Sequence, residues 1–132
     1  MELTVRSVID NNDGNEPEIS ITTVTADVKE RADTLYLRYK EESEGGSVRT
    51  FITAGTEGIR LSRSGSIEWD VSFVPNEVSR TVYRIPPYAF DATVRTETAR
   101  WTRLGSGHII EFKYSMNIGG AEKAVKMKMT LK

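Results

Sequence analysis

The segment GIRLSRSGSIEWDVSF, residues 58–73, carries the pattern that decides the fold. Apolar and polar residues alternate on both sides of a turn, SGS, with the period of two that is typical of half-buried β-strands. On the first strand Ile59 and Leu61 share a face, but the next residue on that face is Arg63, so an apolar face ends in a permanent charge. The apolar face of the second strand consists of Ile67, Trp69, Val71 and Phe73.

The same alternation extends over the rest of the chain, and no window holds a sustained helical stripe. Groups of turn-forming residues separate about ten predicted strands. These groups are NNDGN (11–15), ERAD (30–33), GG (45–46), GTEG (55–58), SGS (64–66), PNE (75–77), PPY (86–88), LGSG (104–107) and GG (119–120). Because most of the turns are short, neighbouring strands must be antiparallel, since a parallel pair needs a crossover of about a dozen residues.

A long antiparallel meander twists and tends to curl, and closing it removes its exposed edges. We therefore predict an all-β fold in which residues 1–132 form a single antiparallel up-and-down β-barrel of about 8–10 strands. A meandering sandwich is the alternative. The last strand, with Val125, Met127, Met129 and Leu131 facing in, is predicted to pair with the first. The predicted core comprises Leu35, Leu37, Ile52, Leu61, Trp69, Val71, Phe73, Ile110, Phe112, Met127 and Met129.

The composition excludes several classes of function. The 18 basic and 19 acidic residues give a net charge of −1, which argues against a nucleic-acid binder. No apolar run approaches the roughly 18 residues of a membrane span, and the N-terminal segment lacks the apolar stretch of a secretory signal. The absence of cysteine excludes disulfides, thiolate zinc sites and a cysteine nucleophile. We expect a cytoplasmic protein.

Six segments, in this order, resemble the YwiB-like family of bacterial proteins: LYLRYKEE (35–42), TFITA (50–54), IRLSRSG (59–65), WDVSF (69–73), VYRIPPY (82–88) and IIEFKYSMNI (109–118). The resemblance covers nearly the whole chain, and the order and spacing of the segments carry it. It implies a calycin-type, lipocalin-like β-barrel from a bacterial cytoplasm, in a family whose biochemical role is not established. Family members tend to read Thr-Pro-Tyr-Gly where this chain has Ile85, Pro86, Tyr88 and Ala89, with Pro87 as an extra proline.

Extending each apolar face by alternation predicts a set of polar side chains that point into the barrel: Tyr39, Glu41, Thr50, Arg63, Tyr83, Thr96, Thr98 and Tyr114. An isolated buried charge is very costly, so buried charges occur paired and hydrogen-bonded. We therefore predict that Arg63 binds Glu41 through two hydrogen bonds, with Thr50 and Tyr83 beside them.

The function that follows is non-enzymatic binding of a small anionic or amphipathic ligand inside the barrel. Arg63 and Glu41 would be the polar anchors, and Tyr39, Tyr83, Tyr114, Thr50 and Thr96 would line the site. Barrels of about eight strands are either filled or hold one small ligand. A purely structural ion pair, a protein-interaction module on the outer surface and an enzyme therefore remain alternatives.

Other candidates have less support. His108 is the only histidine and there is no cysteine, so no zinc site is predicted. No nucleophile-elbow sequence accompanies a serine, so no Ser-His-Asp arrangement is predicted either, and we assign no catalytic residue, metal or cofactor. Arg80, Arg84 and Arg95 share a face in the predicted strands, so a groove for single-stranded nucleic acid is conceivable there. Tyr36, Phe51 and Trp101 would be its stacking platforms. The acidic balance argues against that function, and the sequence leaves the oligomeric state open.

Overall fold

The computed structural model describes all 132 residues and contains eleven β-strands and no helix. The alternating segments form the strands, and the predicted turn groups lie between them or at their ends. The strands are β1 (Glu2–Asp10), β2 (Glu18–Thr25), β3 (Asp27–Arg31), β4 (Thr34–Ser43), β5 (Gly46–Ala54), β6 (Ile59–Gly65), β7 (Trp69–Phe73), β8 (Val78–Ile85), β9 (Tyr88–Leu104), β10 (Gly107–Ile118) and β11 (Ala121–Leu131). The structure therefore has no helix with the length and apolar character required to cross a bilayer.

The strands form two antiparallel sheets. The six-stranded sheet has the order β2-β1-β11-β10-β9-β8, and the five-stranded sheet has the order β3-β4-β5-β6-β7. Strands β1 and β11 pair from Leu3–Leu131 to Asp10–Ala124, so the predicted pairing of the first and last strands is confirmed. The all-β antiparallel meander is confirmed as well.

The backbone ladders do not close into a complete barrel, because they are interrupted at two places. The first interruption is at Ala26, a buried corner where the chain leaves the six-stranded sheet as β2 and enters the five-stranded sheet as β3. The segment between the turn groups NNDGN and ERAD, which was predicted to be one strand, is therefore divided into β2 and β3, and the number of strands rises to eleven. The outer residues of β2 are left uncovered, and Ile19 and Ile21 are 60% and 65% exposed.

The second interruption lies between β7 and β8. Here the backbone ladder is reduced to a single bridge, in which the amides and carbonyls of Glu68 and Arg84 exchange two hydrogen bonds of 2.9 Å. Hydroxyl groups on β8 replace the missing backbone bonds, since the Thr81 hydroxyl donates to the carbonyl of Asp70 at 2.7 Å. The seam between the two sheets is thus held by side chains.

The core lies between the two sheets. All eleven predicted core residues are buried, and the centroids of the Phe73 and Phe112 rings stack 4.7 Å apart across the core. The four predicted inward residues of β11 are buried too. Alternation therefore identified the core correctly, because the direction of a side chain in a strand is set by the backbone itself.

A bulge in β9 changes one prediction. Thr96 pairs with Tyr114 and Thr98 with Lys113, so one extra residue, Glu97, is accommodated in β9. Thr96 is 2% exposed, as its predicted inward position requires. The inward prediction for Thr98 is wrong, because the bulge moves it to the outer side of the sheet with Lys113.

Candidate functional site

One row of residues across the five-stranded sheet joins the predicted polar positions. Strand register places Tyr39 of β4 opposite Thr50 of β5, Thr50 opposite Arg63 of β6, and Arg63 opposite Trp69 of β7. Because residues in register share a face, all four side chains point toward the interior. We call these four residues the polar row.

Each member of the polar row has a buried polar atom without a hydrogen-bond partner. The atoms are the hydroxyl oxygens of Tyr39 and Thr50, Nε of Arg63 and Nε1 of Trp69, and no other side chain in the protein has such an atom. An unpaired buried polar group costs about 1–3 kcal/mol, and native proteins hold few of them. Their concentration in one row marks this part of the interior as polar, with hydrogen-bonding capacity that the chain itself leaves unused.

The predicted ion pair between Arg63 and Glu41 is not formed. The structure has five ion pairs, and none of them includes either residue. The reason is register: Glu41 aligns with Val48 and Gly65, in a row that lies two residues along each strand from the row that contains Arg63. Nor do Thr50 and Tyr83 form side-chain hydrogen bonds to Arg63, so its predicted capping contacts are also wrong.

The guanidinium of Arg63 acts on tyrosines of both sheets. Burial raises the pKa of Tyr114, on the six-stranded sheet, to about 12, and the positive charge of Arg63 opposes this shift. Burial likewise raises the pKa of Tyr39, on the five-stranded sheet; the charge of Arg63 lowers it and that of Glu41 raises it. The Tyr39 hydroxyl also lies near enough to Thr50 and Arg63 for both to lower this pKa, although neither contact has the geometry of a hydrogen bond. Arg63 therefore lies close to hydroxyl groups from both sheets.

A cavity of about 570 Å³ opens beside the polar row, between β6 and β7 on one side and the six-stranded sheet on the other. Twelve of its sixteen lining residues are apolar. Arg63 and Lys123 are the charged residues of the lining, and no carboxylate contributes to it. The lining consists of Ser7, Ile9, Leu61, Arg63, Trp69, Tyr83, Ile85, Phe90, Phe112, Tyr114, Met116, Ile118, Gly119, Lys123, Val125 and Met127.

Aromatic rings form the wall of the cavity next to Arg63. The ring centroid of Trp69 lies 5.4 Å from that of Tyr83 and 6.3 Å from that of Tyr114. Ile85 and Phe90 belong to the hairpin formed by β8 and β9 and are 46% and 40% exposed, so they form a rim where the cavity meets solvent. The cavity thus has a cationic, donor-rich part and an apolar part that reaches the surface.

The predicted site residues fall into three groups. Arg63, Tyr83 and Tyr114 line the cavity; Tyr39 and Thr50 belong to the polar row but not to the lining. Glu41 and Thr96 neither line the cavity nor belong to the polar row.

Sequence reasoning missed Lys123, Trp69 and Ser7 as lining residues. Lys123 was detectable, because it has the same parity as Val125 and Met127 on β11. Trp69 was assigned to the core, and the free hydrogen-bonding capacity of its indole becomes visible only in three dimensions.

His108 lies outside this site. Its Nδ1 atom accepts a hydrogen bond from Nε1 of Trp101 at 3.1 Å. The structure contains no group of three histidine, cysteine or carboxylate side chains that could hold a metal ion.

Fold and site together define an all-β protein in which an antiparallel meander encloses a mostly apolar cavity with a cationic end. The chain belongs to the family described as a domain of unknown function, DUF1934, whose model matches residues 3–131. This family membership agrees with the resemblance that the sequence segments indicated.

The fold is similar to that in the crystal structure of the ywiB protein from Bacillus subtilis. The two proteins are 21% identical and superpose with a TM-score of 0.83, over 99% of this chain and 90% of that one. At this identity the similarity shows the fold alone. No curated protein matches the chain.

Proposed function

We propose that this protein is a non-enzymatic binder of a small amphipathic anion, with the charged group of the ligand held at Arg63 and its apolar part in the cavity. The observation that carries the proposal is the polar row, in which every unpaired buried polar side-chain atom of the protein lies on one line of residues beside the cavity. Arg63 also lines the cavity, and its terminal guanidinium nitrogens form no hydrogen bond within the chain, so they are free to bind the charged group of a ligand.

The charge of the ligand follows from the donors. The guanidinium of Arg63 can only donate hydrogen bonds, and Lys123 adds a second positive charge to the lining. With no carboxylate in the lining, a cationic headgroup would lack a partner. An acceptor-rich anion such as a carboxylate, sulfonate or phosphate would form charge-assisted hydrogen bonds with this end of the cavity.

The apolar part of the ligand follows from the rest of the lining. A cavity of about 570 Å³ is within the size range of small-molecule sites, which are mostly apolar with a few polar groups that set orientation. Met116 and Met127 line the cavity, and their flexible side chains adapt to ligands of different shape. The exposed rim residues Ile85 and Phe90 leave a path from solvent.

Ligand retention is tested first, by native mass spectrometry of gently purified protein against its denatured mass. We expect a non-covalent mass excess that is lost on denaturation, and a smaller ligand-bound fraction in an Arg63→Met variant. The matched control is Arg60→Met, because Arg60 lies on the same strand but points outward, in an exposed ion pair with Asp70.

A titration with anilinonaphthalene sulfonate, a fluorescent aromatic anion, tests the site directly. A hydrogen bond to a charged group contributes about 1.5–3 kcal/mol, so Arg63→Met is expected to weaken binding roughly ten- to hundredfold. Arg60→Met should change it by less than about twofold. A bare mass together with equal dye affinity in the two variants would overturn the proposal.

A further inference from the structure

The outward side of the five-stranded sheet differs in charge from the protein as a whole. Six basic side chains and three carboxylates point outward from this sheet, an excess of three positive charges on a chain whose net charge is −1. The nine residues are Lys29, Arg31, Arg38, Lys40, Arg49, Arg60, Asp27, Glu42 and Asp70. The net charge of the whole chain hides this asymmetry because it averages over both sheets.

All three carboxylates of this surface are already paired. Asp27 binds Arg38, Glu42 binds Lys40 and Asp70 binds Arg60, at 2.9–3.0 Å. Lys29, Arg31 and Arg49 form no ion pair. The positive charge that remains available to a partner therefore belongs to these three residues.

Two aromatic rings lie among these cations. Tyr36 and Phe51 are 45% and 48% exposed on the outward side of β4 and β5, and neither ring stacks on another aromatic side chain. Both rings border a surface groove of about 330 Å³, and Phe51 also borders a second groove of about 470 Å³. Flat ring faces next to grooves are the geometry that stacking of a planar ligand requires.

Register places the free cations at the two ends of this aromatic pair. Lys29 is opposite Tyr36; Tyr36 is opposite Thr53, so Phe51 is its diagonal neighbour. Arg49 precedes Phe51 by two residues on β5, so the two side chains point to the same side of the sheet. The four side chains Lys29, Tyr36, Phe51 and Arg49 thus form a diagonal of about 16 Å across the sheet. We call them the outer diagonal.

We propose that the outer diagonal binds a short stretch of single-stranded nucleic acid, independently of the cavity. The bases stack on Tyr36 and Phe51, and Lys29 and Arg49 bind phosphates on either side. An acidic peptide would match the charge, but it would leave two exposed rings without a planar partner. The alternation of cation, ring, ring and cation fits a polymer whose phosphates and bases alternate.

Fluorescence anisotropy with a labelled oligothymidylate of about twelve nucleotides tests the proposal at low and moderate salt. We expect binding with a slope of log K against log salt of about −1.4, as two phosphate contacts to a single strand require. The double variant Tyr36→Ala, Phe51→Ala should weaken binding by roughly tenfold for each ring. Lys29→Glu with Arg49→Glu should flatten the salt slope as well as weaken binding.

Controls come from the six-stranded sheet. Tyr88→Ala removes a tyrosine that is 67% exposed, and Lys126→Glu reverses an outward charge on β11, so both should leave binding within about twofold. Amide chemical-shift mapping of the unmodified protein needs no variant and should place the oligonucleotide on β4 and β5. No binding at low salt, equal losses in the controls, or full competition by polyglutamate would each overturn the proposal.

Discussion

Replacing Arg63 by methionine is expected to stabilise the ligand-free protein, although the same change should weaken anion binding. Nε of Arg63 is buried without a partner, and such a group costs about 1–3 kcal/mol. Methionine keeps the unbranched stem, has no donor and packs well in irregular apolar surroundings. Since Arg63 as a whole is only half-buried, we expect a gain of about 1–2 kcal/mol rather than the full range.

Urea unfolding of ligand-free protein, followed by tryptophan fluorescence, measures this gain. With a slope of about 2 kcal/mol per molar urea, the unfolding midpoint should rise by about 0.5–1 M. Arg60→Met is again the control: it breaks an ion pair whose arginine side chain is 65% exposed, so it should lower stability by at most about 1 kcal/mol.

The refuting result is a midpoint that falls further in Arg63→Met than in Arg60→Met. It would show that the guanidinium makes structural contacts in the free protein, and the argument that Arg63 is kept for a ligand would be wrong. Opposite changes in stability and in dye affinity, by contrast, are what a residue kept for binding at the expense of stability should produce.

Three further outcomes follow from the packing. Phe73→Ala, which empties a fully buried position, should cost about 3–5 kcal/mol in urea unfolding, whereas Phe51→Ala on the surface should cost less than about 1 kcal/mol. Gly65→Ala should cost about 2 kcal/mol or more, because φ is +115° and a Cβ would clash with the carbonyl oxygen of Ser47 on β5. Gly105→Ala, with φ of +61° and open space around it, should cost less, and equal losses would contradict this reading. Spectrophotometric titration should show Tyr114 ionising near pH 12. The free energy of unfolding should fall from about pH 10 upward, because the tyrosine then loses its proton in the unfolded protein but keeps it in the folded one. A single transition near pH 10 for all five tyrosines would refute the buried hydroxyl.

The elements and the core were predictable because alternation is local. A strand directs successive side chains to opposite faces wherever it lies, so Trp69, Val71 and Phe73 could be assigned to one buried face from the sequence. The pairing of β1 with β11 was predictable because a long twisted meander tends to curl, and closing it brings its first and last strands together.

The candidate site was predictable only in part. Alternation placed Arg63, Tyr83 and Tyr114 inside, and all three line the cavity. It also placed Glu41 inside, but it could not show that the row of Glu41 lies two residues along each strand from that of Arg63, because that offset depends on the register of three strands.

What the sequence determined by itself is therefore which segments are extended, their antiparallel order and the predicted core residues, because side-chain direction and short turns are properties of neighbouring residues. The tertiary structure alone decided the corner at Ala26, the bulge in β9, the seam between β7 and β8, and the absence of a partner for Arg63. Each of these depends on how residues distant in the chain align, and the hydrogen bonds that are made or left unmade follow from that alignment.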